Sequence, residues 1–213
     1  MSKSTSVPAI AVLDYGIGNL RSAEKALQHL GADAALTADP EAVRAARGVV
    51  LPGVGAFGAC MRALRQSGLE AVAREAATDG RPFLGVCIGM QMLFDGSDED
   101  PAEPGLGVVA GRVTRLPESV RLPQIGWNTL QGANGSRLLA GVPDPAWLYF
   151  VHSYAAEPHD SDVVAAWCDY GRRFAAAIER GPLWATQFHP EKSAGAGLAI
   201  LGNFVAACRA PVG

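Results

Sequence analysis

The sequence predicts an α/β fold: a three-layer sandwich whose central, mostly parallel sheet is covered on both faces, with an antiparallel extension in the C-terminal half. Three observations lead there. In the first half, short β-rich apolar runs alternate with helix-period segments, a pattern that calls for right-handed crossovers and parallel pairing. In the second half, strand-like runs follow one another at hairpin spacing. The composition, 49% hydrophobic and 18% charged over 213 residues, supplies enough apolar surface for one well-cored domain.

The elements follow in order. "AIAVLDY" (9–15) reads as a strand, "LRSAEKALQHLGA" (20–32) as an amphipathic helix ending at Gly31, and "GVVLPG" (48–53) as a second strand. Helical stretches over 57–66 and 69–78 precede the strand "PFLGVC" (82–87) and a helix from Ile88 to Phe94. The acidic, Pro/Gly-rich "DGSDEDPAEPG" (95–105) is expected to be loop. Beyond it, "VVAGRVTRL" (108–116), "WLYFVHSYAAE" (147–157), "VVAAWCDYG" (163–171), "FAAAIERG" (174–181) and "LWATQFHP" (183–190) read as strands extending the sheet. A last helix near 195–209 packs back on it. The change of character near residue 100 is read as a change of topology inside a single domain spanning 1–213.

Bulk chemistry excludes several function classes. Net charge is −3 and the 18 basic residues are scattered, unlike the footprint of a nucleic-acid binder. The opening "MSKSTSVPAIAVLDYG" lacks a cleavage site and is interrupted by Asp14, so it is not read as a signal peptide. No apolar run reaches the roughly 18 residues of a membrane span. Cys60, Cys87, Cys168 and Cys208 are widely separated, which suggests neither a zinc site nor a disulfide framework and fits a reducing cytoplasm. No metal and no cofactor is expected.

The chemistry concentrates at "FLGVCIGMQ" (83–91), where Cys87 stands between Gly85 and Gly89 at a strand-to-helix junction. In parallel α/β sheets, ligands bind outside the carboxyl ends of the strands. Unpaired N–H groups at a helix start favour thiolate over thiol and can hold an oxyanion, and flanking glycines leave room for a strained backbone and close substrate approach. A thiolate that attacks a carbonyl needs an imidazole and a group to orient it. "QFHPEKS" (187–193) offers His189, Pro190 to stop the strand, and Glu191, which can point to the same side. His29 and His159 are read as ordinary side chains. "LPGVGAFG" (51–58) lacks the spacing of a phosphate loop and is read as a turn whose N–H groups complete an oxyanion hole with Ile88. "DYGIGNL" (14–20) lacks the third glycine of a dinucleotide fingerprint.

G-x-C-x-G-x-Q in "GVCIGMQ", followed about a hundred residues later by "HPE", resembles the class I (triad) glutamine amidotransferases, whose fold is flavodoxin-like. "DYGIGNL", "LPGVGAFG", "GVCIGMQMLF", "LPQIGWN", "YFVHSY" and "QFHPEKS", in that order, resemble the glutaminase subunits of imidazole glycerol phosphate synthase over nearly the whole chain. That resemblance implies a reaction. Cys87 attacks the side-chain amide of glutamine, a γ-glutamyl thioester forms with release of ammonia, His189 moves the protons, and Glu191 orients the imidazole. It places the oxyanion against the N–H groups of Ile88 and of the Gly53–Val54 turn. Gln91, Glu99 and the Ser153–Tyr154 backbone match positions holding the two ends of glutamine. It also implies a (β/α)8-barrel cyclase as heterodimer partner, docked at or near Asn19, Trp127, Asn128, Tyr149 and Lys192. For Trp127 and Tyr149, core packing stands as an equal alternative on sequence alone. Two other readings remain open: a glutaminase serving anthranilate, aminodeoxychorismate, guanylate or pyridoxal phosphate synthesis, and a redox domain of the DJ-1-like superfamily, which leaves His189 and Glu191 unused.

Overall fold

The computed structural model describes residues 7–18, 20–132 and 135–210. In chain order the strands are β1 (Ala9–Leu13), β2 (Asp33–Thr37), β3 (Gly48–Gly53), β4 (Phe83–Cys87), β5 (Gly96–Ser97), β6 (Asp100–Pro104) and β7 (Gly111–Arg115). They continue as β8 (Gln124–Thr129), β9 (Trp147–His152), β10 (Tyr154–Pro158), β11 (Val164–Asp169), β12 (Arg173–Arg180) and β13 (Leu183–Thr186). The helices are α1 (Leu20–His29), α2 (Pro40–Ala45), α3 (Phe57–Gln66), α4 (Glu70–Ala76), α5 (Ile88–Gln91) and α6 (Ala194–Arg209).

Seven strands form the main sheet in the order β11-β12-β13-β4-β3-β1-β2. The pairs from β13 through β4, β3 and β1 to β2 are parallel, while β12 joins β13, and β11 joins β12, antiparallel. β3, β4 and β13 are buried along their whole length, which is why they read as unbroken apolar runs. Helix α1 packs beside α6, and α2 beside α4. Phe83, Phe188 and Phe204 are fully buried in the core.

Four local expectations are corrected. The acidic segment expected as loop folds in large part into an antiparallel hairpin, β5–β6. Its polarity reflects exposure: β6 is an edge strand with prolines at both 101 and 104, and its Asp100 and Glu103 meet Arg62 of α3 at 2.8 and 3.1 Å. The run 147–157 is two strands broken at Ser153. β9 pairs with β8 as a separate ribbon and β10 with β7 in a four-stranded sheet, so only β11 and β12 extend the main sheet antiparallel. The helix expected over 88–94 stops at Gln91, and Leu93 and Phe94 donate three residues back instead of four. "LWATQFHP" is strand only to Thr186. The sequence reading also passed over β2, an edge strand without clean alternation, β8, and α2, although Asp39 caps α2 by accepting from the Glu41 N–H at 2.9 Å.

Candidate active site

The nucleophile candidate comes from the end of β4. Cys87 closes that strand with φ 56° and ψ −112°, a backbone region that L-residues rarely enter. Such strain persists only where the surroundings enforce it. Here they do: a side chain on Gly89 would collide with the Leu51 carbonyl oxygen of β3, and one on Gly85 would stand 2.9 Å from the Gly89 carbonyl oxygen. Both glycines are thus required for α5 to lie against β3 and β4, a packing reason rather than the expected space for substrate. Gly53 completes the arrangement, since a side chain there would come within 2.9 Å of both the Gly89 nitrogen and the Ile88 side chain. The turn after β3 is therefore pressed against the start of α5. It is anchored from behind by two buried side chains that sequence reasoning missed, Tyr15, whose hydroxyl donates to the Pro52 carbonyl at 2.6 Å, and Cys60, whose thiol donates to the Val54 carbonyl at 3.3 Å. Burial raises the Tyr15 hydroxyl and pushes the Cys60 thiol up to about 11, so both keep their protons and remain donors.

His189 and Glu191 arrive from the neighbouring strand, β13, which pairs with β4 in parallel. The chain leaves β13 after Thr186 and closes a 3-10 turn over Pro190–Lys192. That turn, and not strand alternation, brings Glu191 Oε1 to 2.8 Å from His189 Nδ1. The His189 backbone is fixed from two directions: its N–H donates to the Tyr149 carbonyl at 2.9 Å, and its carbonyl accepts from Ser193 Oγ at 2.6 Å. Ser193 Oγ in turn accepts from the Tyr149 N–H at 3.0 Å, so a buried hydroxyl ties the turn to β9.

Burial disfavours a charged His189, but the Cys87 sulfur and the Glu191 carboxylate outweigh it and raise the imidazole to about 9. A protonated imidazole beside a cysteine sulfur is placed to give its proton to a departing group. Its Nε2 is buried without a partner of good hydrogen-bond geometry.

Cys87, Ile88, Val54, Gln91, Glu99, Ser153, Tyr154 and His189 line one cavity of about 280 Å³, with Gly55, Pro123, Val151 and His152 completing its wall. The structure brings together Cys87, His189, Ile88, Val54, Gln91, Glu99, Ser153 and Tyr154 at that cavity, with Gly53 and Glu191 just behind it. Glu99 caps α3 from a distance by accepting from the Phe57 N–H at 2.7 Å. The Ser153 carbonyl accepts from Leu116, and the Tyr154 carbonyl from Gln91 and His152, so these two residues have only N–H groups and side chains left for a ligand. Gln91 Oε1 is a buried acceptor without a partner. An acceptor of that kind suits an ammonium or amide donor.

The remaining candidates lie apart. Trp127 is 49% exposed, which removes the core alternative for it, and stands edge-on to half-buried Tyr149 at 5.9 Å. Exposed Lys192 places its Nζ over the Tyr149 ring, 5.9 Å from the centroid. Asn128 spends both ends of its amide within the chain, donating to Asp169 and accepting from Thr129. Asn19 lies outside the described residues. His29 and His159 are exposed and take no part in the site. Among the described residues no cluster of metal-ligating side chains occurs.

His152, in the quoted "YFVHSY" but given no role from sequence, is buried beside Phe150 and Phe174. Burial pushes it down to about 4, helped by His189 and Arg172 and opposed by its bond to the Tyr154 carbonyl. The unfolded chain takes up this proton near pH 6.5, whereas the folded one refuses it until about 4. Stability therefore falls as pH drops through that window, by about 3 kcal/mol. Urea unfolding at pH 7 and pH 4.5 should show this loss, and His152→Phe should flatten it; an unchanged slope in the variant would assign the acid sensitivity elsewhere.

Comparison with known proteins identifies the family. Residues 11–208 match the family model described as glutamine amidotransferase class-I. A protein of Symbiobacterium thermophilum named imidazole glycerol phosphate synthase subunit HisH is 49% identical over 195 residues, 92% of each chain. One of the same name from Methanothermobacter thermautotrophicus is 50% identical over 201 residues, 94% of this chain and 100% of the relative. A crystal structure titled glutamine amidotransferase superposes with a TM-score of 0.73 at 22% identity, covering 93% of this chain and 98% of the other, which speaks to fold alone. The chain thus belongs to the class I glutamine amidotransferases and, within them, to the HisH family of imidazole glycerol phosphate synthase subunits.

Proposed function

We propose that this protein is the glutaminase of an imidazole glycerol phosphate synthase, a single amidotransferase domain over residues 1–213 working in the cytoplasm with a (β/α)8-barrel cyclase. The observation that carries the chemistry is the strained Cys87 sharing a cavity with a His189 bonded to Glu191 at 2.8 Å. The Cys87 thiolate attacks the side-chain carbonyl carbon of glutamine, and the oxyanion is received by the N–H groups of Ile88 and Val54. As the carbon–nitrogen bond breaks, the His189 imidazolium gives its proton to the departing nitrogen, leaving ammonia and a thioester. Neutral His189 then takes a proton from water, which attacks the thioester and releases glutamate and the sulfur. Glu191 holds the imidazole with Nε2 toward the cavity throughout. Gln91 Oε1 and Glu99 receive the substrate's ammonium end.

Ammonia in bulk water is mostly protonated and no nucleophile, so a partner must take it directly. The β8–β9 ribbon supports that role: Ile125, Trp127 and Trp147 are exposed large apolar side chains on it, and it is joined to the His189 turn through Tyr149 and Ser193. The HisH relatives favour the cyclase of histidine biosynthesis over the other acceptors. No described helix is long and apolar enough to cross a membrane.

Glutamate release should be slow for the isolated chain and rise roughly ten- to a hundredfold with the cyclase and its nucleotide ligand present. No hydrolysis in the complex, or a stable complex with a different synthase instead, would overturn the assignment.

A further inference from the structure

Gln187 is fully buried between the end of β13 and the His189 turn, with its own N–H donating to the Ala176 carbonyl at 2.8 Å. The orientation of its side-chain amide follows from its neighbours. The Tyr154 carbonyl can only accept, so the atom of Gln91 that lies 2.9 Å from it is nitrogen, Nε2. The second hydrogen of that nitrogen goes to Gln187 Oε1, also at 2.9 Å. Gln187 must then turn its own nitrogen the other way, and it donates to Cys87 Sγ at 3.8 Å. The donors thus run outward from Gln91, one hydrogen to the Tyr154 carbonyl of β10 and the other through Gln187 to the sulfur.

The sulfur needs such a donor. Cys87 is only 2% exposed, so solvent reaches little of it, and α5 is a single turn that contributes little dipole. We propose that Gln187 is a positioning residue for the nucleophile: its amide N–H aims the Cys87 sulfur and stabilises it as thiolate. Gln91 fixes that amide, so the group whose free Oε1 faces the substrate also sets the donor behind the nucleophile. This rests on Cys87 being the nucleophile of a glutaminase.

The test is the pH profile of Cys87 alkylation by iodoacetamide, followed by mass spectrometry in the absence of glutamine. Gln187→Met keeps the length of the side chain and removes the donor. Its alkylation midpoint should move to higher pH by roughly one unit, lowering the neutral-pH rate about tenfold. Gln91→Met, which frees the Gln187 amide to rotate, should give a smaller shift in the same direction. Superimposable profiles in folded Gln187→Met and the unaltered protein would overturn the proposal. Should Gln187→Met fail to fold, the side-chain amide resonances of Gln187 in the unaltered protein must shift at the alkylation midpoint, and their indifference to it would overturn the proposal equally. Failure of the glutaminase assignment is seen separately, as absence of hydrolysis by the unaltered protein in its cyclase complex.

Discussion

Cys87→Ser is expected to lower glutamine turnover by about a thousandfold or more while leaving the fold and the partner complex intact. The two side chains have nearly the same shape, and the residue is 2% exposed in a backbone conformation set by its neighbours, so packing changes little. The chemistry changes greatly. A serine hydroxyl is a far weaker nucleophile at neutral pH, and the sulfur's share in raising His189, the rest of which Glu191 supplies, is lost. Glutamate release measured in the cyclase complex, with circular dichroism and size-exclusion chromatography as controls, checks this. Retained turnover would remove Cys87 from the mechanism and reopen the redox-domain reading.

Gly89→Ala should damage stability and activity together. The added methyl would run into the carbonyl oxygen of Leu51 and lie 2.8 Å from its carbonyl carbon. These are main-chain atoms of a fully buried strand and cannot rotate aside, so α5 must lift off β3. Overpacking of this kind costs about 3 kcal/mol. Because Ile88 and Cys87 move with α5, turnover should drop about a hundredfold in whatever fraction remains folded. Gly195→Ala is the matched control: nothing lies within 4 Å of the added methyl in α6, so the urea midpoint should hold or rise slightly and kcat should not change. Equal behaviour of the two variants would show that α5 is not wedged as described.

The comparison of sequence with structure turns on where information is local. The parallel core was legible because β3 and β4 are buried on both faces and so read as continuous apolar runs. The hairpin β5–β6 was not, because an exposed edge strand carrying Asp, Glu and Pro is compositionally a loop, and the Arg62 that meets its carboxylates is supplied from elsewhere in the chain. The strand break at Ser153 was hidden for the opposite reason, since apolar character continues on both sides of it. Within the site, Cys87, His189 and Glu191 stood out as chemical types in tight motifs. Gln187 sat inside one of those motifs and was passed over, because an amide announces no role until its partners Gln91 and Cys87, 96 and 100 residues away, are in place. Tyr15, Cys60 and Ser193 were invisible likewise: each acts on a backbone carbonyl, and a carbonyl leaves no mark on the sequence.

The sheet order has a consequence for synthesis. β13 is translated last of all the strands, yet it is inserted between β12 and β4 near the middle of the sheet. An emerging nascent chain can assemble β1 to β4 and present the cysteine long before the imidazole has left the ribosome. Closing this sheet demands contacts between distant segments, which makes it a slow, late event. Until β13 is in place, the Cys87 thiol at the end of β4 has no His189 beside it.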